Sequence, residues 1–297
     1  MAYTQDTAPS ASLEDALTTL FCLVDDAYPN LNPKGEGYAS LKRLSDSEVL
    51  TLALAQQLRG VESCRSFLRD AGRFFCELFP GVVGLYPSSL HRRIRKLGRF
   101  LEPLRQDILA ELVGEPETLL IDSTLIEALH PRQVSQFSQS VGLEGAAWVR
   151  WGSFSLYGLK LHLLCATNRV PISYEITAAN VADLRLTEEL LSEANLTDEV
   201  GRKLYGDLAY DGGPLRDALA EKGLLLLTKR ADQSGARQQI EIAFAALKGV
   251  FGLGWTLAKT LTGIVMRVVA KVAAYTFGLY INRLLGRPQG KIKELWA

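Results

Sequence analysis

Along the first hundred residues apolar positions recur at three- and four-residue steps, the spacing of one face of an α-helix. Ser12 and Asp15 open one amphipathic run, and Ser45 with Glu48 three residues later has the spacing of a capping box before Val49 to Leu58. Pro80, Gly81, Gly84 and Pro87 then punctuate the chain, and Ser88 and Ser89 stand where they can cap a helix from Leu90 to Leu101. In that helix Leu90, Ile94, Leu97 and Leu101 make one apolar face. Residues 1–112 therefore predict a small all-helical N-terminal domain.

The pattern changes at Glu117. Thr118 to Asp122 is an apolar run of strand length, and Ser155 to Thr167 and Val170 to Thr177 are two more, joined at Asn168-Arg169 as a hairpin. Next come a helix from Leu184 to Ala194, a strand from Lys203 to Asp207 and a helix opened by Gly213-Pro214. The four-leucine strand Leu224 to Leu227 and a long helix from about Gln233 to Phe251 complete the series. A meander followed by crossover units gives an α/β fold, a mixed sheet flanked by helices, over residues 113–297. Residues 127–154 fit no element and read as an insertion or flap, with Trp148 and Trp151 more apt to pack than to stack on a base. The apolar stretch Ile264 to Ile281 carries Arg267 and Lys271 one turn apart, so it reads as a core helix with a basic stripe and not as a membrane span.

With 47% hydrophobic and 22% charged residues, the 297-residue chain has the material for buried cores, which excludes a disordered chain. Thirty-three basic and thirty-three acidic residues cancel, so bulk charge announces no partner. The four cysteines, Cys22, Cys64, Cys76 and Cys165, have no metal-site spacing and read as reduced, buried thiols. The first residues lack the layout of a secretory signal, which points to the cytoplasm and away from a membrane.

Three acids stand out. Asp122 ends an apolar run, where a lone carboxylate is costly to bury without hydrogen bonds or a cation; a strand-end Asp facing water is the equal alternative. Asp207 follows Leu204-Tyr205-Gly206 at the exit of another strand. Glu241 lies on the long helix with Arg237 four residues before and Lys248 seven after, one stripe beside the apolar Ile240, Phe244, Leu247 and Phe251. Taken alone, an ordinary Arg–Glu helix pair is the favoured reading of Glu241.

Together the motifs resemble those of bacterial insertion-sequence transposases of the DDE type, whose catalytic domain is RNase H-like. They are Leu120-Ile121-Asp122-Ser123-Thr124, Tyr157-Gly158-Leu159-Lys160-Leu161-His162-Leu163, Thr177-Ala-Ala-Asn180-Val-Ala-Asp183 and Gly206-Asp207-Leu-Ala-Tyr210-Asp211-Gly212. The likeness runs over residues 118–285. Arg237, Glu241 and Lys248 match a signature of Tyr, two residues, Arg, three residues, Glu, six residues, Lys, in which Ser234 takes the Tyr position.

The resemblance implies that Asp122, Asp207 and Glu241 are catalytic and bind two divalent ions, Mg2+ or Mn2+. Such a pair can hold the attacking and leaving oxygens of an in-line displacement at phosphorus. Water first cuts a transposon end; the freed 3′-hydroxyl then attacks target DNA, with no covalent protein intermediate and no nucleotide cofactor. Arg237 and Lys248 are expected beside phosphate, and Lys160 and His162, on one strand face, are further candidates for DNA contact. Asn180 and Asp183 are expected to serve turns and caps.

The charge is unevenly laid out. His91 to Arg99 holds five cations, Arg92, Arg93, Arg95, Lys96 and Arg99, and no acid, while Asp183 to Val200 holds six acids and one Arg. Helix 88–101 is thus either a solvated amphipathic helix or the DNA-binding element of a helix-turn-helix-like domain, and the resemblance favours the second. The expected partners are terminal inverted repeats and target duplex, bound by a homodimer. Two other readings use the same residues: a decayed transposase that only binds DNA, and a metal nuclease without strand transfer.

Overall fold

The computed structural model describes residues 11–37, 39–134, 143–194, 196, 201–228, 235–254 and 256–296. Ser234 and part of the segment read as a flap lie outside them. The chain divides into two units, one of residues 1–107 with 273–297, the other of residues 108–272.

The first unit is helical. Helix α1, Leu13–Leu31, and α2, Asp46–Leu58, each begin with the reciprocal capping box that their Ser12/Asp15 and Ser45/Glu48 pairs foretold. Twelve of the thirteen α2 residues are buried, which makes this helix the unit's centre. Helix α3, Cys64–Phe74, is followed by α4, Pro87–Leu97, and by α5, Leu101–Asp107. The caps expected at Ser88 and Ser89 are replaced by Pro87 at the first helical position, whose fixed φ suits a helix start and whose missing N–H loses no helical bond. The C-terminal segment returns to this unit: the buried Trp296 gives its carbonyl to Arg59 Nη1 at 3.0 Å.

The second unit starts with a short helix, α6, Leu109–Val113. It is built on six strands: β1 Thr118–Leu129, β2 Ala147–Trp151, β3 Phe154–Ala166, β4 Pro171–Ala178, β5 Arg202–Tyr205 and β6 Leu224–Leu227. Strand β3 pairs antiparallel with β1 on one side and with β2 and β4 on the other; β1, β5 and β6 run parallel. This is the RNase H-like order, with the hairpin turning at Arg169, which takes a left-handed φ of 71°. Residues 147–151, expected in a flap, are an edge strand, and Trp148 packs edge-on against Tyr157 with ring centroids 5.5 Å apart.

Alternation along β1 sends Leu119 and Ile121 to one face and Leu120 and Asp122 to the other. The first face packs with Leu186, Leu190, Leu215 and Leu219, from α7, Thr187–Glu193, its preceding turn, and α8, Gly213–Glu221. Helix α9, Ala236–Gly249, buries Ile240, Ala243, Phe244 and Leu247. Gly158 is needed where β1 bulges, because a Cβ there would sit 2.0 Å from the Ile126 carbonyl oxygen.

Helix α10, Leu261–Leu284, is long and apolar enough to cross a membrane, yet 78% of its apolar window is buried within the protein. Lys271, expected on a basic stripe, is buried too, and its ammonium donates to the Phe251 carbonyl. A short helix, α11, Ile292–Trp296, closes the chain. None of the four cysteines forms a disulfide, but only Cys165 is buried, whereas Cys22 is exposed.

Candidate active site

Parallel pairing fixes the two aspartates relative to each other. Thr118, Leu119 and Leu120 of β1 lie opposite Lys203, Leu204 and Tyr205 of β5. Continuing that register two residues brings Asp207 beside Asp122, and adjacent strands lie only about 4.8 Å apart. Gly206 makes the approach possible, since a Cβ there would come within 3.1 Å of both Ile121 and Tyr210 side chains. Asp207 then caps a 3-10 turn, its Oδ1 accepting from the Ala209 amide at 2.8 Å.

Asp122 is in a different electrostatic state. Its Oδ1 accepts from the Ser123 amide at 2.8 Å. Burial pushes its pKa up to about 6, and the negative charges of Asp207 and Asp183 push the same way against the Ser123 amide and Arg237. Carboxylates crowded together at partial burial favour a bound cation, which relieves the repulsion without proton uptake. The donor set fits a divalent ion.

These groups line one cavity of 850 Å³, together with Ser123, Thr124, Lys160, Ala209, Arg237 and Lys248, and it extends to Arg150 and Phe154 on the β2–β3 hairpin. Glu241 is not among its lining residues. It sits between Arg237 and Lys248 along α9, 59% exposed, with Oε1 3.6 Å from Arg237 Nε. Among the described residues, the acids whose ligand atoms all fall within 4.8 Å of one another are Glu175, Glu189 and Glu193, on β4 and α7, away from this cavity.

Asp183 is the site residue that sequence reasoning missed. Expected to cap a turn, it makes no cap: the cap position of its 3-10 turn is Ala182. Its Oδ1 accepts from Ser123 Oγ at 2.7 Å and from Lys160 Nζ at 3.1 Å, and lies 3.5 Å from His162 Nδ1. The three-residue step from Asn180 to Asp183 after a strand was the available signal, and turn chemistry explained it too well. Asn180 itself is exposed in the turn.

The same contacts correct the expectation for His162. The imidazole is fully buried, with Nε2 2.9 Å from Thr177 Oγ1, and burial lowers its pKa to about 4, Asp183 opposing and Lys160 assisting. A neutral, enclosed ring does not reach a phosphate backbone. Lys160 lines the cavity but turns its ammonium to Asp183 and to the Val181 carbonyl, at 2.8 Å. Tyr210, 1% exposed, is kept protonated first by burial and then by the charges of Asp183, Asp122 and Asp207.

In the helical unit, Arg92, Arg95, Lys96 and Arg99 are exposed. Arg93 is not free in the same way: its guanidinium donates to the Leu44 carbonyl at 2.6 Å and to Asp46 Oδ1 at 2.5 Å.

No curated protein matches the chain. Among solved structures it is similar to the piggyBac transposase in a synaptic complex with hairpin DNA, at 10% identity, 99% coverage of this chain, 80% of that one and a TM-score of 0.44. It is also similar to the Mos1 transposase in a paired-end complex with a left transposon end, at 13% identity, 81% and 79% coverage and a TM-score of 0.29. A family model described as the transposase DDE domain matches residues 114–277, more than half of the chain. The chain belongs to that family of DNA transposases, enzymes of DNA cleavage and strand transfer that use divalent metal ions.

Proposed function

We propose that Asp122, Asp207 and Glu241 are the catalytic carboxylates of this transposase and that they hold two Mg2+ or Mn2+ ions. The observation that carries the reading is the β1–β5 register, which sets Asp207 beside Asp122 in a cavity flanked by Arg237 and Lys248. When bound, the ions supply Lewis acidity to the attacking and leaving oxygens at phosphorus. Everything else is done by side chains. Asp122 and Asp207 would hold the ions from the sheet, and Arg237 and Lys248 offset the developing charge of the phosphate from α9. Glu241, one turn beyond Arg237 on the same helix stripe, completes the ligand set from the rim.

The exposed cations Arg92, Arg95 and Lys96 of α4, with Arg99 in the turn after it, grip DNA backbone or groove, so the helical unit recognises the terminal inverted repeats while the sheet unit cuts. Paired ends call for a homodimer on DNA, working in the cytoplasm wherever the DNA lies. The test is cleavage of a labelled duplex carrying the element's end, with magnesium, followed by capture of the cut 3′ end into a second duplex. Loss of cutting in each of Asp122→Ala, Asp207→Ala and Glu241→Gln supports the assignment, and full activity in any of them removes that residue from it. Cutting without capture turns the reading into a nuclease.

A further inference from the structure

We infer that Asp183 is a positioning residue that acts on Asp122 through Ser123. The inference rests on the proposed catalytic role of Asp122 and adds a residue to it. The path is short and every link is a hydrogen bond. The Ser123 hydroxyl donates to Asp183 Oδ1 at 2.7 Å, and the Ser123 amide donates to Asp122 Oδ1 at 2.8 Å. Ser123 and Asp122 are consecutive on β1, and both line the cavity that Asp183 also lines. Asp183 thus anchors β1 next to Asp122, at the point where β1 runs past the last β5 pair, Leu120 with Tyr205, and β3 is its remaining strand partner.

The anchor is itself fixed. Lys160 on β3 donates to Asp183 and to the Val181 carbonyl, which ties the 3-10 turn Asp183–Leu186 to the sheet. His162, two residues along the same strand face, fills the remaining side at 3.5 Å and is held by Thr177. The four sequence motifs therefore meet in one place: Ser123 from the first, Lys160 and His162 from the second, Thr177 and Asp183 from the third, and Tyr210 from the fourth. Lys160 balances the charge of Asp183, and the shared oxygen Oδ1 already accepts both Ser123 and Lys160. A carboxylate so engaged serves as an orienting partner for the residue that meets the metal, and such outer partners commonly change metal affinity or activity by about 10–100-fold when removed.

The experiment uses the full chain and two readouts, Mn2+ binding without DNA, followed by electron paramagnetic resonance, and end cleavage. Asp183→Ala and Ser123→Ala should each weaken both by about 10–100-fold. The double variant should be no worse than the more damaging single one, because the two residues form one path. Asp183→Asn, which keeps an oxygen able to accept from Ser123, and Ser123→Thr, which keeps a hydroxyl, should recover much of the loss; a rescue of this kind is not produced by general damage to the fold. Multiplying effects in the double variant overturn the proposal, as do normal binding and cleavage in Ser123→Ala. Equal loss in Asp183→Asn and Asp183→Ala with Ser123→Ala unaffected makes Asp183 a metal ligand instead, which also overturns it. Failure of the wild-type chain to cut is a different result, and counts against the functional reading itself.

Discussion

The two units use charge in opposite ways. On α4 and the turn after it the cations Arg92, Arg95, Lys96 and Arg99 stand in water with no acid among them, while around Asp122 the charged groups are part-buried and close together, and burial raises the pKa of Asp122 and lowers that of His162. An exposed charge keeps its hydration and acts at a distance that salt sets, with a Debye length of about 8–10 Å. A buried one acts only through neighbours placed to within an ångström, and its protonation answers to them. Arg93 marks the boundary between the two regimes. It lies in the same basic run as the others, yet it is spent on the fold, holding Leu44 and the buried Asp46.

The contrast breaks first at the carboxylates. Asp122→Ala or Asp207→Ala should lower end cleavage by about 10³-fold or more, as expected when an electrostatic element of a transition state is removed, and leave end binding by the helical unit in place. Gel-shift and cleavage assays on the same samples check this. Replacing Arg92, Arg95, Lys96 and Arg99 together by Ala should do the reverse. DNA affinity falls, the slope of log affinity against log salt drops by about 0.9 for each phosphate that is no longer neutralised, and thermal stability moves by less than about 0.5 kcal/mol.

Two pH experiments sharpen the buried side. His162 has a pKa lowered to about 4 from 6.5, so its contribution to stability is whole above pH 6.5 and is lost as pH falls through 4. The loss is about 3 kcal/mol, and His162→Gln should flatten it in melting curves taken across that range. Asp122 has the opposite sign. Its pKa is raised to about 6 from 3.8, so its stabilising contribution is present below pH 3.8 and is lost as pH rises through 6. With a chelator present, Asp122→Asn should therefore melt higher than wild type above pH 6, by the equivalent of about 2–3 kcal/mol, and match it below pH 4.

The smallest effect belongs to the boundary residue. Burial alone would raise the pKa of Asp46, but the hydrogen bonds from Arg93 and Lys42 outweigh it and hold the carboxyl below its usual range. Arg93→Ala should cost about 1–3 kcal/mol, measured by melting, because Asp46 keeps Lys42 and loses its second cation. Arg92→Ala, one position away and exposed, should not change the melting temperature.

The local pattern alone determined most of the elements, though not the edge strand β2. Capping boxes at Ser12 and Ser45, the alternation after Glu117 and the hairpin at Asn168-Arg169 are written in neighbouring residues, because capping, pleat and turn chemistry act over a few positions. The same locality made the basic run of α4 legible and hid the fate of its members. Whether Arg93 faces water or Asp46, whether His162 reaches a phosphate or is sealed under Thr177, and whether Asp183 caps a turn or braces Ser123 depend on residues 15 to 60 positions away. Only the packed sheet brings those partners together, and desolvation then decides which charges survive.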